Sequence, residues 1–521
     1  MFFSENFGDF GRNKFLKEVV FSMKEKSGTP EFSKIRSIFW PIHGFEMKKF
    51  MPMSLLMFCI LFVYTAVRDL KDTFIQKYAV LGGAELVSSL KFWFVFPTAI
   101  LVVMLFSAIL SRFGMNKTFY IVTSFFTLFF LAFAFFLFPN RESIHLSAQT
   151  MIRMRETWPS FLYYIIPCLG NWSFTLFYIL AETWGSLAIG SLFWYFANQI
   201  TKKDETKRFY ALYSLIGNVG VFISGFYMTQ MSKVQGQAFD TNVKILVSMG
   251  AFFCVATMLM YYYINKVVLI DPRLYDPTQI KRKKKKAKVG FLEGLRVVFT
   301  SPYMFLIFML PMCYGIGMNL YEGIFKAQMA ETLTNASDYS RMMGILSMVT
   351  GVATAVLTFL GANILRKKSW KFSAMVTPAS LAVLGLIFFV LMSYKVGGGK
   401  TIMGFSVPII AIWVGLAIDA VGKGIKYCLF DTTKSMAFRP LDADTQAQGQ
   451  GAVEVIGGRG GKASGAFIQY FILNIASAGS ALLSHTYTIF ILFSFLVVGW
   501  IISVSKLGTL YEQKITEQEK E

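Results

Sequence analysis

The feature that most constrains this chain is a succession of long apolar stretches. A helix that crosses a bilayer needs about 20 mainly apolar residues. Twelve stretches qualify, at roughly 50–74, 88–111, 117–138, 172–200, 208–231 and 244–268, then 302–328, 342–365, 372–394, 402–430, 450–475 and 481–505. Segment 158–170 is apolar but short and contains Pro159 and Pro167, so it reads as an interfacial lead-in to the fourth helix. Charged residues are 16% of the chain, against about 25% in an average soluble domain. The expected fold is an all-α polytopic membrane protein.

The charges that remain are unevenly placed. Lys and Arg outnumber Asp and Glu by 51 to 30. Cytoplasmic loops collect basic residues, and two segments do so here. Nine Lys/Arg precede Phe50, and Lys281 to Lys286 form an unbroken basic run. The first reads as a cytoplasmic tail (1–49), the second as a basic cytoplasmic linker (269–301) facing anionic lipid. Between them lies a six-helix bundle (50–268), after them a second (302–505) and a cytoplasmic tail (506–521). Both termini are expected on the cytoplasmic side. Residues 1–45 contain no apolar core of a secretory signal. Five cysteines and three histidines show no metal-ligand spacing, so neither a metal nor another cofactor is expected.

Two six-helix halves suggest duplication. "IGNVGVFISG" (216–225) in the fifth helix and "IGGRGGKASG" (456–465) in the eleventh agree at five of ten positions. Fifth and eleventh are equivalent places in parallel repeats, the plan of major-facilitator transporters. The second stretch also resembles a phosphate-binding loop, but that motif requires Gly at 456 and Ser or Thr at 463, where Ile456 and Ala463 stand. Instead Gly457, Gly461 and Gly465 fall four apart, a spacing that lets membrane helices approach closely. Arg459 and Lys462 share a face of this helix. Cations inside a membrane cost at least about 2.5 kcal/mol unless they face water, a partner or a substrate. Glu454 is one candidate partner.

Other apolar segments carry charges too. Arg68, Asp69, Lys71 and Asp72 end the first helix, with Arg68 and Asp72 spaced as an i,i+4 pair. Glu182 stands in a long apolar run with no basic residue within a turn, so it needs a cation from another helix or a proton. Asn319, Glu322 and Lys326 share a face of the seventh helix. The tenth holds or adjoins Asp419, Lys423, Lys426, Asp431 and Lys434. Lys423 and Lys426 repel unless an anion lies near. Together Lys71, Lys423, Lys426, Arg459 and Lys462 imply a cationic cavity for a polyanion, with lysines acting as point charges toward phosphate. Nucleic acid is not an expected partner.

Many stretches in order, among them "IFWPIHGFEMKKFMPM", "RDLKDTF", "LKFWFVFPTAI", "LAETWGSLAIGSLFWYFANQITK", "YGIGMNLYEGIFK", "KYCLFDTTKSMA" and "GAVEVIGGRGGK", resemble the bacterial and plastid nucleotide transporters, the ATP/ADP translocase family of obligate intracellular bacteria. The resemblance implies twelve helices, alternating access and a nucleotide substrate, in a bacterial inner membrane, as a secondary active transporter and not an enzyme. A monomer surrounded by lipid is expected. It points to Lys71, Glu182, Glu322 and Lys426 as functional charges, lysines toward phosphate and acids toward gating or sugar and base contacts. Asn218 and Arg459, in the matched repeat, are secondary candidates. Tyr64, Trp184 and Tyr321 are candidates for stacking on a base.

The sequence departs from the family pattern at Lys434-Ser435-Met436-Ala437-Phe438, at Arg439, at Gln448-Gly449-Gln450 and at Gly460 to Gly465. ATP/ADP exchange is therefore the simplest expectation. Import of GTP, UTP, CTP or mixed nucleotides, with or without proton coupling (for which Glu182 is the residue to test), and NAD/ADP exchange are the alternatives. A membrane-bound nucleotide-processing enzyme would need a nucleophile, metal or Walker pattern that the sequence does not offer.

Overall fold

The computed structural model describes residues 40–275, 291–442, 445–446, 449–450, 453–477 and 479–520. Most of the N-terminal tail, the basic run Lys281 to Lys286 and Gln448 lie outside them. Among the described residues ten helices are long and apolar enough to cross a membrane. One of them, Ala84–Leu137, is 54 residues long. A straight helix of that length would reach about 80 Å at 1.5 Å per residue, far beyond a bilayer. It breaks at Gly114 (φ 71, ψ 172), a backbone conformation that glycine adopts without a steric penalty. It is therefore two spans. Residues 453–476 form a further continuous helix, less apolar than the others because it carries Glu454, Arg459 and Lys462.

In chain order the twelve spans are α1 (Gly44–Tyr78), α2 (84–113), α3 (115–137), α4 (Trp172–Ile200), α5 (Arg208–Met231), α6 (Gly236–Val268), α7 (Pro302–Thr332), α8 (Ala336–Leu365), α9 (Trp370–Val396), α10 (Val407–Met436), α11 (453–476) and α12 (Leu482–Gln518). With twelve spans, the start of α1 and the end of α12 lie at one end of the bundle, called here the terminal end. A two-residue antiparallel hairpin, Thr401–Ile402 with Phe405–Ser406, joins α9 to α10 at the other end. Large side chains point outward, with Phe495 74% and Leu128 67% exposed. An apolar outer face is stable against lipid tails and not against water.

The halves meet along two seams. Along one, α5 packs on α8, and Gly225 and Gly344 bring the backbones together: a Cβ on Gly225 would lie 2.6 Å from the Gly344 carbonyl oxygen. Along the other, α11 packs on the start of α2. Small residues permit such approach. Away from the terminal end the halves are sealed. Lys77 donates to the Ala330 carbonyl (2.6 Å), and Glu85 accepts from the Leu482 amide (2.9 Å). The Tyr470 hydroxyl donates to Phe161 (2.9 Å), and the Tyr164 amide donates to Asn474 (3.1 Å). The 158–170 segment is thus more than a lead-in. Its helix Ile165–Gly170 is largely buried, and its polar groups close the far end. Among the described residues no hydrogen bond or ion pair ties the halves at the terminal end.

Candidate functional site

Five of the lining helices depart from regular α geometry beside their charges. α1 passes into a wider π turn at Phe74–Tyr78, α2 at Leu90–Val95, α4 at Gly185–Trp194, α10 at Lys426–Phe430 and α11 at Val453–Gly460. Such turns gather at functional sites because they redirect side chains within a helix. Here they flank a cavity of about 640 Å³ between the halves. Glycines make room for it: Gly185 accepts the Tyr64 ring, which a Cβ would meet at 2.5 Å.

Arg68, Lys71, Lys91, Lys326, Lys423, Arg459 and Lys462 line this cavity, with Asp72, Glu182, Glu322 and Asp419 as the carboxylates. Seven cations against four carboxylates leave an excess of three positive charges. Tyr64, Phe96, Trp194, Tyr314, Phe325 and Tyr427 supply its aromatic surface, and Asn218 a neutral polar group. Trp184 and Tyr321, candidates for base stacking from sequence, are instead core residues at 0% and 1% exposure.

Lys71 is buried and fully engaged. Its ammonium lies 3.1 Å from both Asp72 and Glu182 and 3.9 Å from the centroid of the Tyr178 ring. It is the cation on another helix that Glu182 needs. Arg68 does not make the i,i+4 pair with Asp72. Its guanidinium turns to Asp69 (2.9 Å) and to the Ser347 hydroxyl (2.7 Å). Asp72 takes Lys326 from the other half instead (2.9 Å). Lys326 sits only loosely against Glu322 (3.9 Å), which also faces Lys91 (3.7 Å), and Lys91 donates to Asn319 (2.8 Å). Lys423 is held by Asp419 one turn away (2.6 Å).

Of the nine residues singled out from sequence, Lys71, Glu182, Asn218, Glu322, Lys423, Arg459 and Lys462 line the cavity, while Lys426 and Asp431 do not. Those two pair with each other (2.8 Å), and Lys434 bridges Asp431 (3.7 Å) to Glu454 (3.9 Å), nearer the terminal end. Glu454 therefore serves Lys434 and not Arg459 or Lys462. Lys423 and Lys426 need no shared anion, since each has its own carboxylate. Arg459 donates only to the Ala99 carbonyl (3.1 Å), and Lys462 makes no ion pair or hydrogen bond among the described residues. Lys91 and Lys326, outside those nine, also line the cavity. The sequence signal for Lys91 is a lysine near the start of the apolar run 88–111. The described residues hold no cluster of His, Cys, Asp and Glu suited to a metal, and all five cysteines are free.

Two six-helix halves around a charged central cavity, sealed at one end, define a multi-pass transporter of the major-facilitator type. Solved structures share this outline: a bacterial homologue of the iron transporter ferroportin in an inward-facing state (TM-score 0.56, 11% identity, covering 88% of this chain and 98% of that one) and a D-xylose-proton symporter (TM-score 0.56, 11% identity, 89% and 97%). Identity that low speaks to the fold alone. The chain belongs to the TLC ATP/ADP transporter family, whose pattern residues 25–511 match. It is 37% identical over 496 residues to ADP,ATP carrier protein 1 of Rickettsia bellii, covering 94% of this chain and 98% of the relative. The carrier of the same name from Chlamydia muridarum is 37% identical over 499 residues (94% and 93%). ADP,ATP carrier protein 3 of Rickettsia bellii is 34% identical over 502 residues (92% and 98%).

Proposed function

We propose that this protein exchanges ATP for ADP across a bacterial inner membrane by alternating access, as a monomer in lipid with both termini cytoplasmic. The observation that carries the reading is the cavity's excess of three positive charges together with Arg459 and Lys462, the two lining cations that make no ion pair with a carboxylate among the described residues. A polyphosphate is the ligand for which such a site is preorganised. Its phosphates meet Arg459 and Lys462 on α11, with Lys423 across the cavity. Arg459 offers a planar fork of donors and Lys462 a point charge. The nucleoside lies toward Tyr64, Tyr427 and Asn218. A base stacked on an aromatic ring gains about 1–3 kcal/mol. In the conformation sealed away from the terminal end, nucleotide enters from that end. Sealing it and parting the far end delivers the nucleotide across.

The test is uptake of labelled ATP by intact cells expressing the chain, with or without internal ADP, competed by each NTP and by NAD. ATP/ADP exchange requires internal ADP and yields only to ATP and ADP. Uptake without internal ADP, or competition by other nucleotides, rejects this reading in favour of broader import.

A further inference from the structure

Of the ion pairs between described residues, two join the halves: Asp72 to Lys326 at 2.9 Å, and Lys91 to Glu322 at 3.7 Å. Every other pair closes within one half. Both lie at the cavity floor, on the side of the far seal, and all four side chains line the cavity. Asp72 is 1% exposed and Lys326 12%, so this pair is cut off from water that would screen it. When the far end opens, α1 and α2 must leave α7 and both pairs must part. Breaking a buried pair is strongly unfavourable unless another partner takes over.

We propose that these two pairs are the latch that makes transport an obligatory exchange, and that the polyphosphate is the partner that releases it. This rests on the exchange reading above. With no polyphosphate bound, Lys326 and Lys91 form their ion pairs among the described residues with Asp72 and Glu322 alone, and the halves stay tied. A bound polyphosphate brings several negative oxygens to the same cavity. Lys326 and Lys91 turn to it, Asp72 and Glu322 lose their hold across the seam, and the far end parts. The empty carrier cannot make this move, so one nucleotide must leave for each that enters. Asp72, Lys326 and Lys91 are gating residues that couple binding to movement, and Glu322 acts with them. The neighbouring contact of Arg68 and Asp69 with Ser347 is a hydrogen-bonded tie between the same halves, and phosphate has no lysine to withdraw from it.

The experiment uses the full chain in liposomes loaded with labelled ATP. Efflux is followed into buffer with external ADP and into nucleotide-free buffer. Wild type should release label quickly only with ADP outside. Asp72→Asn with Glu322→Gln should raise efflux into nucleotide-free buffer at least tenfold relative to exchange, because the tie is gone without substrate. The charge swap Asp72→Lys with Lys326→Asp should restore dependence on ADP. Thermal unfolding of each purified variant in detergent shows which of the two folds, and either one that folds decides by itself. Unchanged dependence on ADP in the folded neutral variant, or a folded swap that transports but leaks, overturns the latch. Efflux from wild type into nucleotide-free buffer at the exchange rate instead overturns the exchange reading on which the latch rests.

Discussion

At the scale of single residues, the lining cations fall into two kinds. Lys71, Lys91, Lys326 and Lys423 already form ion pairs with carboxylates, whereas Arg459 and Lys462 form none among the described residues. Removing a member of the first kind strands a carboxylate. Lys71→Ala takes the ion-pair partner from Glu182, and breaking a buried pair costs about 3–5 kcal/mol. Its melting temperature in detergent should fall along with its transport. Lys462→Ala strands nothing, so its melting temperature should stay within a degree or two of wild type while KM for ATP rises about tenfold, as for a lost charge-assisted contact of roughly 1.4 kcal/mol. KM for ATP unchanged in Lys462→Ala would remove this residue from the phosphate site. The sequence marked Lys71, Glu182 and Lys462 because an ion in an apolar run is costly wherever it points. It could not sort paired from unpaired cations, since the partners Lys71–Glu182 and Asp72–Lys326 are 111 and 254 positions apart. For the same reason it placed Lys426 and Asp431 at the cavity when their side chains meet beside it.

At the scale of elements, twelve spans were legible from length and hydropathy, including α11, which carries three charges. Two features depended on tertiary packing. The π turns in α4, α10 and α11 have no sequence signal of their own, and the Ile165–Gly170 segment became part of the far seal through Tyr164 and Asn474, 310 positions apart. The seam of α5 and α8 yields a prediction. A methyl on Gly344 would meet the Thr229 hydroxyl at 2.6 Å and the Gly225 carbonyl at 2.7 Å. Gly344→Ala should slow exchange about tenfold at saturating ATP with little change in KM, because it obstructs movement of α5 on α8 and not binding. A normal maximal rate would show that the seam has slack. The segment between α3 and α4 yields another. His145 lies there, outside the membrane spans, against Ser173 (2.7 Å) and the Phe174 ring. Burial, aided by the Arg141 charge, pushes its pKa down from 6.5 to about 4. The unfolded chain therefore takes up a proton before the folded one does. The stability His145 contributes is complete above about pH 6.5 and is lost as the pH falls toward 4. Wild type should lose more melting temperature than His145→Gln between pH 7 and pH 4.5. Parallel losses would mean that the low-pH instability has another source.

At the scale of the whole molecule, most of the charge of +21 lies outside the cavity, whose share is three. Those three stay with the protein while substrate crosses. A triphosphate carries one more negative charge than a diphosphate, so each turn of ATP against ADP should move one elementary charge across the membrane. At about 100 mV that charge is worth roughly 2.3 kcal/mol, or a shift of about 45-fold in the equilibrium distribution. An interior-negative potential should therefore slow entry of labelled ATP into ADP-loaded liposomes, and an interior-positive one should hasten it. ADP-for-ADP exchange moves no net charge and should not respond. Potassium gradients clamped with valinomycin give both signs of potential in one preparation. ATP entry that ignores the potential while ADP self-exchange proceeds would mean that another ion, a proton among them, travels with the triphosphate. Glu182 would then be the first carboxylate to replace, because with 32% of its side chain exposed it is the most open of the cavity's charged pairs at the floor.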